Sequence, residues 1–212
     1  MYQFVQMTMS APPTPPSEFN LPLQGVAVWA GPEGIGETPF DQPPPAEALE
    51  IEGDDPRVAL RRTLGLFATG VTIITTRVAE QVHGMTANAF MSVSLEPPLV
   101  LISVDRRTKM CTLLHEGSTY GVSVLCETQA ALSDRFAGRV GDDAPDPRFE
   151  VVHDTPLVDG ALAGFVARVV RSYWGGDHSL FLGRVEFART GEGTPLLFHG
   201  GRYERLGGPN GA

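Results

Sequence analysis

The chain is poor in cysteine, in basic residues and in long apolar runs, and each shortage excludes something. Its two cysteines, Cys111 and Cys126, form neither a C-x-x-C motif nor a Cys/His spacing suited to zinc. A disulfide framework is excluded, and the pair reads as buried free thiols in a reducing cytoplasm. The histidines, His83, His115, His153, His178 and His199, make no i, i+4 or H-x-H pair, so no protein-held metal is expected. Lys and Arg number 16 against 25 Asp and Glu, a formal net charge of −9. The cations are scattered except at Arg106, Arg107 and Lys109, and a global acidic balance argues against nucleic acid as partner. No uncharged apolar run approaches the length that crosses a bilayer, so no membrane association is expected. The start, MYQFVQMTMS, lacks the basic region and long apolar stretch of a secretory signal. Met7 and Met9 leave an alternative translation start open.

Basic residues are missing altogether before Arg57, and ten of the 18 prolines fall in residues 1–53. Apolar periodicity is weak there. This segment is expected to be a Pro-rich, disordered or loosely packed extension, with polyproline II geometry favoured at Pro43-Pro44-Pro45. The folded domain is expected over 54–206, and 207–212 as a flexible tail.

Within the domain, Asp54-Asp55-Pro56 is a helix start, with Asp as N-cap and Pro in the first turn. Val58, Leu60, Leu64 and Phe67 give that helix an apolar spacing. Strands are predicted over 71–77, 85–92, 99–104, 120–125, 163–173, 179–190, 195–198 and 202–206. The first two are expected to meet in a turn at Gly84. Short helices are predicted from Thr108 to His115 and over 128–136, and residues 138–160, rich in Gly, Asp and Pro, as loop. Strands dominate and no βαβ alternation occurs. The fold class is therefore mainly β: an antiparallel barrel with a few peripheral helices, not a Rossmann sheet.

The run from Met85 to Leu95 alternates with a period of two. Ala87, Ala89, Met91, Val93 and Leu95 point one way; Thr86, Asn88, Phe90, Ser92 and Ser94 point the other. The second face is polar without charge, which suits a surface that hydrogen-bonds a flat, neutral, polar ligand. The periodicity is equally compatible with a Thr/Ser-rich strand covered by a neighbour. A second focus is Asp105-Arg106-Arg107-Thr108-Lys109, between a buried strand and a helix start, where amides and arginines attract an anion. A third is Gly175-Gly176-Asp177-His178, a hairpin turn carrying an imidazole. No nucleophile motif and no recognisable carboxylate pair occurs.

The identities of these residues add a resemblance. Gly84 to Val100 reads G-x-T-x-N-x-F-x-S-V-S-L-x-P-P-L-V. Gln129, Leu132, Ser133, Phe136 and Ala137 read Q-x-x-L-S-x-x-F-A. Gly176-Asp177-His178 follows, and Pro195-Leu196-Leu197-Phe198 with Gly201-Arg202-Tyr203 and Leu206 closes the series. In this order, across about 54–206, the chain resembles the short-chain flavin reductases, the reductase components of two-component flavin monooxygenases.

The resemblance implies an FMN-binding split β-barrel that forms a homodimer. It implies FMN or FAD as the flavin, NADH or NADPH as hydride donor, and a flavin-dependent monooxygenase as receiver of reduced flavin. It also implies cofactor contacts from Thr72, Thr86, Asn88, Ser92 and Ser94, from Arg106 and Thr108 toward the phosphates, and from Gly176 and Asp177. His178 is implied to line the nicotinamide site as the catalytic residue. One departure stands out. Where the family commonly shows F-x-V-N-V-L, this chain has Tyr120-Gly121-Val122-Ser123-Val124-Leu125, so Ser123 is a shorter group at an expected flavin contact. The alternative class is a flavin-binding electron-transfer barrel without catalysis, which needs Thr86, Asn88 and Ser92 but not the Gly176-Asp177-His178 turn.

Overall fold

The structure, a computed structural model, describes residues 55–139 and 146–207. The Pro-rich segment 1–53, Asp54 and all of the tail after Gly207 lie outside the described residues. Helix α1, Pro56–Gly65, begins as its sequence dictates: the Asp55 carboxylate accepts from the Arg57 and Val58 amides, and Pro56 sits in the first turn. Its apolar spacing does not bury it. Val58, Leu60, Leu64 and the following Phe67 are all exposed, Phe67 to 77%.

The strands are β1 (Thr69–Gly70), β2 (Thr72–Val78), β3 (Gln81–Ala87), β4 (Phe90–Leu95), β5 (Pro98–Asp105), β6 (Thr119–Val124), β7 (Phe149–Val152), β8 (Thr155–Val158), β9 (Ala163–Gly175), β10 (His178–Thr190), β11 (Leu196–His199) and β12 (Arg202–Arg205). Helices α2 (Lys109–Leu113) and α3 (Ala130–Phe136), with a short 3-10 turn over Glu127–Gln129, are the other elements among the described residues. Seven strands form one antiparallel sheet in the order β3-β2-β6-β9-β10-β5-β4. Both of its edges pack on the same core: Met85 and Ala87 of β3 and Phe90 of β4 lie against Ile74, Val100, Ile102, Val104, Tyr120, Val122, Val169 and Phe181. The sheet therefore coils round that core as a split barrel. A second core, Val71, Ile73, Leu125, Leu132, Val158, Ala161 and Leu196, occupies the other face of β2 and β6, under α3 and the small β1-β11-β12 sheet.

Three expectations are corrected. Gly84 is not a turn. The β2–β3 turn lies at Ala79-Glu80, and Gly84 pairs with Thr75 inside the ladder. It is glycine because Phe136 of α3 packs there: a Cβ would stand 2.5 Å from the ring. Second, Met85 to Leu95 is not one strand. The chain bends at Asn88-Ala89, so β3 pairs with β2 while β4 pairs with β5 at the opposite edge. The bend breaks the single polar face. Phe90 turns into the core, 5.6 Å from Phe165 centroid to centroid, while Met91, Val93 and Leu95 are exposed. Third, the segment read as loop contains the β7–β8 hairpin. Its Pro and Asp are compatible with an edge, and it buries Leu157, Val158 and Thr155 almost completely. The Thr75 hydroxyl, donating to the Pro156 carbonyl, pins it to the barrel.

Candidate functional site

Two polar regions flank the C-terminal end of β5. On one side is the Asn88-Ala89 bend, whose Ala89 carbonyl accepts the Ser103 amide at 3.1 Å. On the other side His178, the first residue of β10, pairs with Asp105. The two neighbours of β5 are separated by two strand spacings, about 10 Å.

The first region is a cleft of about 150 Å³ lined by Val71, Thr86, Ala87, Asn88, Ser133, Ala137, Arg139, Phe198 and Tyr203. The end of β3, the end of α3 and the β11–β12 hairpin build it. The β11–β12 turn needs Gly200 and Gly201, both with positive φ, 57° and 82°. Tyr203 is fixed by its hydroxyl, 2.8 Å from both Ser133 Oγ and Asp134 Oδ1. Its ring meets Phe198 edge-on. Burial raises the Tyr203 phenol above its ordinary pKa, so at neutral pH it keeps the proton that these bonds share. Arg139 pairs with Asp134 at 3.6 Å and stays half exposed.

Thr86 lies in the cleft, with its hydroxyl donating to the Ser133 carbonyl at 2.6 Å. The Asn88 side chain is exposed and makes no hydrogen bond among the described residues. An amide with two donors and an acceptor, held at a polar bend beside apolar Val71 and Phe198, has the chemistry that a flat heterocycle with alternating carbonyl and N–H groups requires. The cleft fits a flavin edge by its donor set.

The second region joins two stretches that the sequence presents separately. The Arg106 amide donates to the Asp177 carbonyl at 3.0 Å, which ties the basic turn to the glycine turn. Gly176 has φ +77°, a conformation that favours glycine. Asp177 Oδ1 stands 2.6 Å from His178 Nδ1. Asp105 accepts from the Arg107 amide at 2.8 Å and from its guanidinium at 2.6 Å. That hydrogen bonding holds the Asp105 carboxyl far below the usual carboxylate range. The hydrogen bond from His178 likewise lowers Asp177.

The remaining residues divide. Ser92 is exposed on β4 without a side-chain partner, and Ser94 Oγ accepts the Glu96 amide at 3.2 Å; both lie on the strand beyond the bend and not in the cleft. Arg106 is exposed. Thr108 is spent on structure: its hydroxyl donates to the Asp105 carbonyl at 2.7 Å and caps α2 at Cys111. Thr72 is buried, its hydroxyl donating to the Ala87 carbonyl at 2.7 Å. Ser123 is fully buried and its hydroxyl accepts the Val158 amide at 2.9 Å. The short side chain that departs from the family pattern is thus what anchors the β7–β8 hairpin. Thr72, Thr108 and Ser123 each close one hydroxyl bond inside the fold. Sequence reasoning missed Arg139 and Phe198 as cleft residues. Arg139 had no signal beyond a charge after a helix, and Phe198 stood in the closing motif without a role at the site.

The comparisons with known proteins show the family and the fold. The family model described as a flavin reductase like domain matches residues 64–207. An NADH-dependent flavin reductase from a Rhodococcus species is 48% identical over 163 residues, 75% of this chain and 92% of that protein. The reductase component of a 4-hydroxyphenylacetate 3-monooxygenase from Thermus thermophilus is 41% identical, covering 72% of this chain and 98% of its own. Among solved structures, the Streptomyces globisporus NADH:FAD oxidoreductase SgcE6, in complex with NAD and FAD fragments, superposes with a TM-score of 0.67 at 38% identity, over 78% of this chain and 100% of that one. By fold, motif order and these likenesses, the chain belongs to the flavin reductase-like family.

Proposed function

We propose that this protein is an NADH-dependent flavin reductase that passes a hydride from NADH to FMN or FAD and supplies the reduced flavin to a flavin-dependent monooxygenase. The observation that carries the reading is the convergence of the Asn88 cleft and the Asp177-His178 turn on one end of β5. The names of the relatives support NADH as donor and a monooxygenase as receiver. Bound flavin supplies the hydride acceptor. The chain's own residues do the rest. Asn88 and Thr86 hold the flavin's polar edge, and the packed ring of Tyr203 with Phe198 gives the cleft a rigid wall. His178 holds the nicotinamide beside the flavin, so that the two rings meet at reacting distance. We also assign a homodimer to this reading, supported by the apolar exposure of β4. The unpaired thiols Cys111 and Cys126 and the use of NADH support a cytoplasmic location. Among the described residues no helix is long and apolar enough to cross a membrane.

A non-catalytic flavin carrier would not need the imidazole turn. The deciding assay is the oxidation of NADH or NADPH on adding free FMN or FAD. NADH consumption with at least one flavin is expected, and no oxidation in any of the pairings refutes the enzymatic reading.

A further inference from the structure

Two carboxylates stand beside the His178 imidazole, and the structure disposes of them differently. Asp105 is directly opposite His178 across the β5–β10 ladder. Its oxygens are already engaged by the Arg107 amide, Nε and Nη2 at 2.6–3.3 Å. The Asp177 carboxylate makes no ion pair with Arg107 among the described residues, and its Oδ1 lies 2.6 Å from His178 Nδ1. The Asp177 backbone is fixed as well, by the Arg106 amide at 3.0 Å and by the positive φ of Gly176. An ionised carboxylate only accepts hydrogen bonds, so the nitrogen it faces must carry the proton. The lowering of the Asp177 pKa by this same contact keeps it ionised at neutral pH.

We infer that Asp177 is a positioning residue which keeps a proton on His178 Nδ1, so that Nε2 is the ring nitrogen left to accept from the carboxamide N–H of the reduced nicotinamide. The inference rests on the reading of His178 as the nicotinamide-facing residue. It adds which atom of the ring makes the contact, and what sets it. A carboxylate that orients an imidazole through one nitrogen fixes the role of the other. Hydride transfer then needs no proton from His178 at the carboxamide. The imidazole aligns the ring that gives up the hydride.

The test uses the full-length chain with 15N-labelled histidine. Spectra are taken as a function of pH, and the tautomer is read on the high-pH plateau where the ring signals no longer shift. The His178 signals are assigned by their loss in His178→Gln. In the wild type they are expected to show a protonated Nδ1 and a bare Nε2. Asp177→Ala is expected to reverse or average the two. Asp177→Glu, which keeps a carboxylate, is expected to restore part of the original pattern. The Asp177 side chain is 82% exposed, so the alanine variant removes nothing from the core.

The kinetic arm compares NADH with its reduced 3-acetylpyridine analogue, which has no carboxamide N–H. Asp177→Ala should lower kcat/KM for NADH by about 3-fold to 10-fold, the usual worth of one hydrogen bond. It should lower the rate with the analogue by a smaller factor than the rate with NADH. Wild-type His178 found with its proton on Nε2, or a tautomer untouched by Asp177→Ala, overturns the inference. So does an equal loss with NADH and with the analogue. A wild-type chain that oxidises no NADH refutes the proposed function instead, and the NMR arm still reports the tautomer.

Discussion

At the scale of single residues, the site is a contrast between polar groups already satisfied and polar groups left open. Thr72, Thr108 and Ser123 each have a hydroxyl closing a bond inside the fold. Asn88 has none. Removing the Asn88 amide should therefore cost binding and not folding. Asn88→Ala is expected to weaken flavin affinity by about 1–3 kcal/mol, the cost of stranding the polar edge that it would meet. The melting temperature without flavin should stay where it was. A fluorescence titration with FMN and FAD checks this, and curves that overlay the wild type remove Asn88 from the site. His178→Ala should behave in the complementary way. It should raise KM for NADH or slow flavin reduction by about 3-fold to 10-fold, with flavin titration unaltered. Anaerobic stopped-flow reduction separates the two outcomes.

At the scale of elements, the sequence spoke clearly where a local rule decides the structure. Asp55-Pro56 starts α1, Thr108 caps α2, and Gly176 turns β9 into β10. The order of the G-D-H and T-x-N motifs was legible as well, and it placed the chain in its family. What was illegible depends on partners far away in the chain. Residues 85–95 keep a period of two across Asn88-Ala89, and nothing local shows that β3 and β4 then leave for opposite edges of the sheet. The buried β7–β8 hairpin was hidden because Leu157 and Val158 sit among Gly, Asp and Pro, and their burial comes from the barrel face they cover. Gly84 looked like a turn because its true cause, the Phe136 ring, is 52 positions later.

That contact offers a test of how α3 and the cleft depend on each other. Gly84→Val puts branched carbon where Phe136 now packs at 2.5 Å from an added Cβ. Overpacking of this kind typically costs about 1–3 kcal/mol. Because α3 also carries Ser133, which fixes Tyr203 and Thr86, the displacement should reach the cleft. Urea denaturation should show the stability loss and flavin titration a weaker site. Gly84→Val with Phe136→Leu, which returns space, should regain part of both. If the single variant keeps wild-type flavin affinity while losing stability, the cleft does not depend on the seating of α3.

At the scale of the whole molecule, one chain presents an incomplete enclosure. The cleft measures about 150 Å³, while sites that bury a small molecule usually enclose about 300–1,000 Å³. Next to it runs β4, an edge of the seven-stranded sheet, with Met91, Val93 and Leu95 exposed to 53%, 45% and 94%. Exposed apolar side chains on an edge strand are a feature that a solitary barrel would be expected to blunt with charge. A net charge of −9 opposes association of two copies, so a dimer must be held by apolar area and not by global electrostatics. If the proposed homodimer forms through β4, the covering chain would deepen the cleft begun at the Asn88 bend. Val93→Glu with Leu95→Glu adds two like charges per copy at that face. Both side chains are already exposed in the single chain, so its fold should survive, as far-UV circular dichroism would report. Sedimentation velocity is expected to show the wild type as a dimer and the variant as a monomer. Flavin affinity should fall at the same time by more than the 10-fold expected from loss of one hydrogen bond. A monomeric variant with full flavin affinity would mean that one chain suffices for the site, and a variant that remains dimeric would move the interface away from β4.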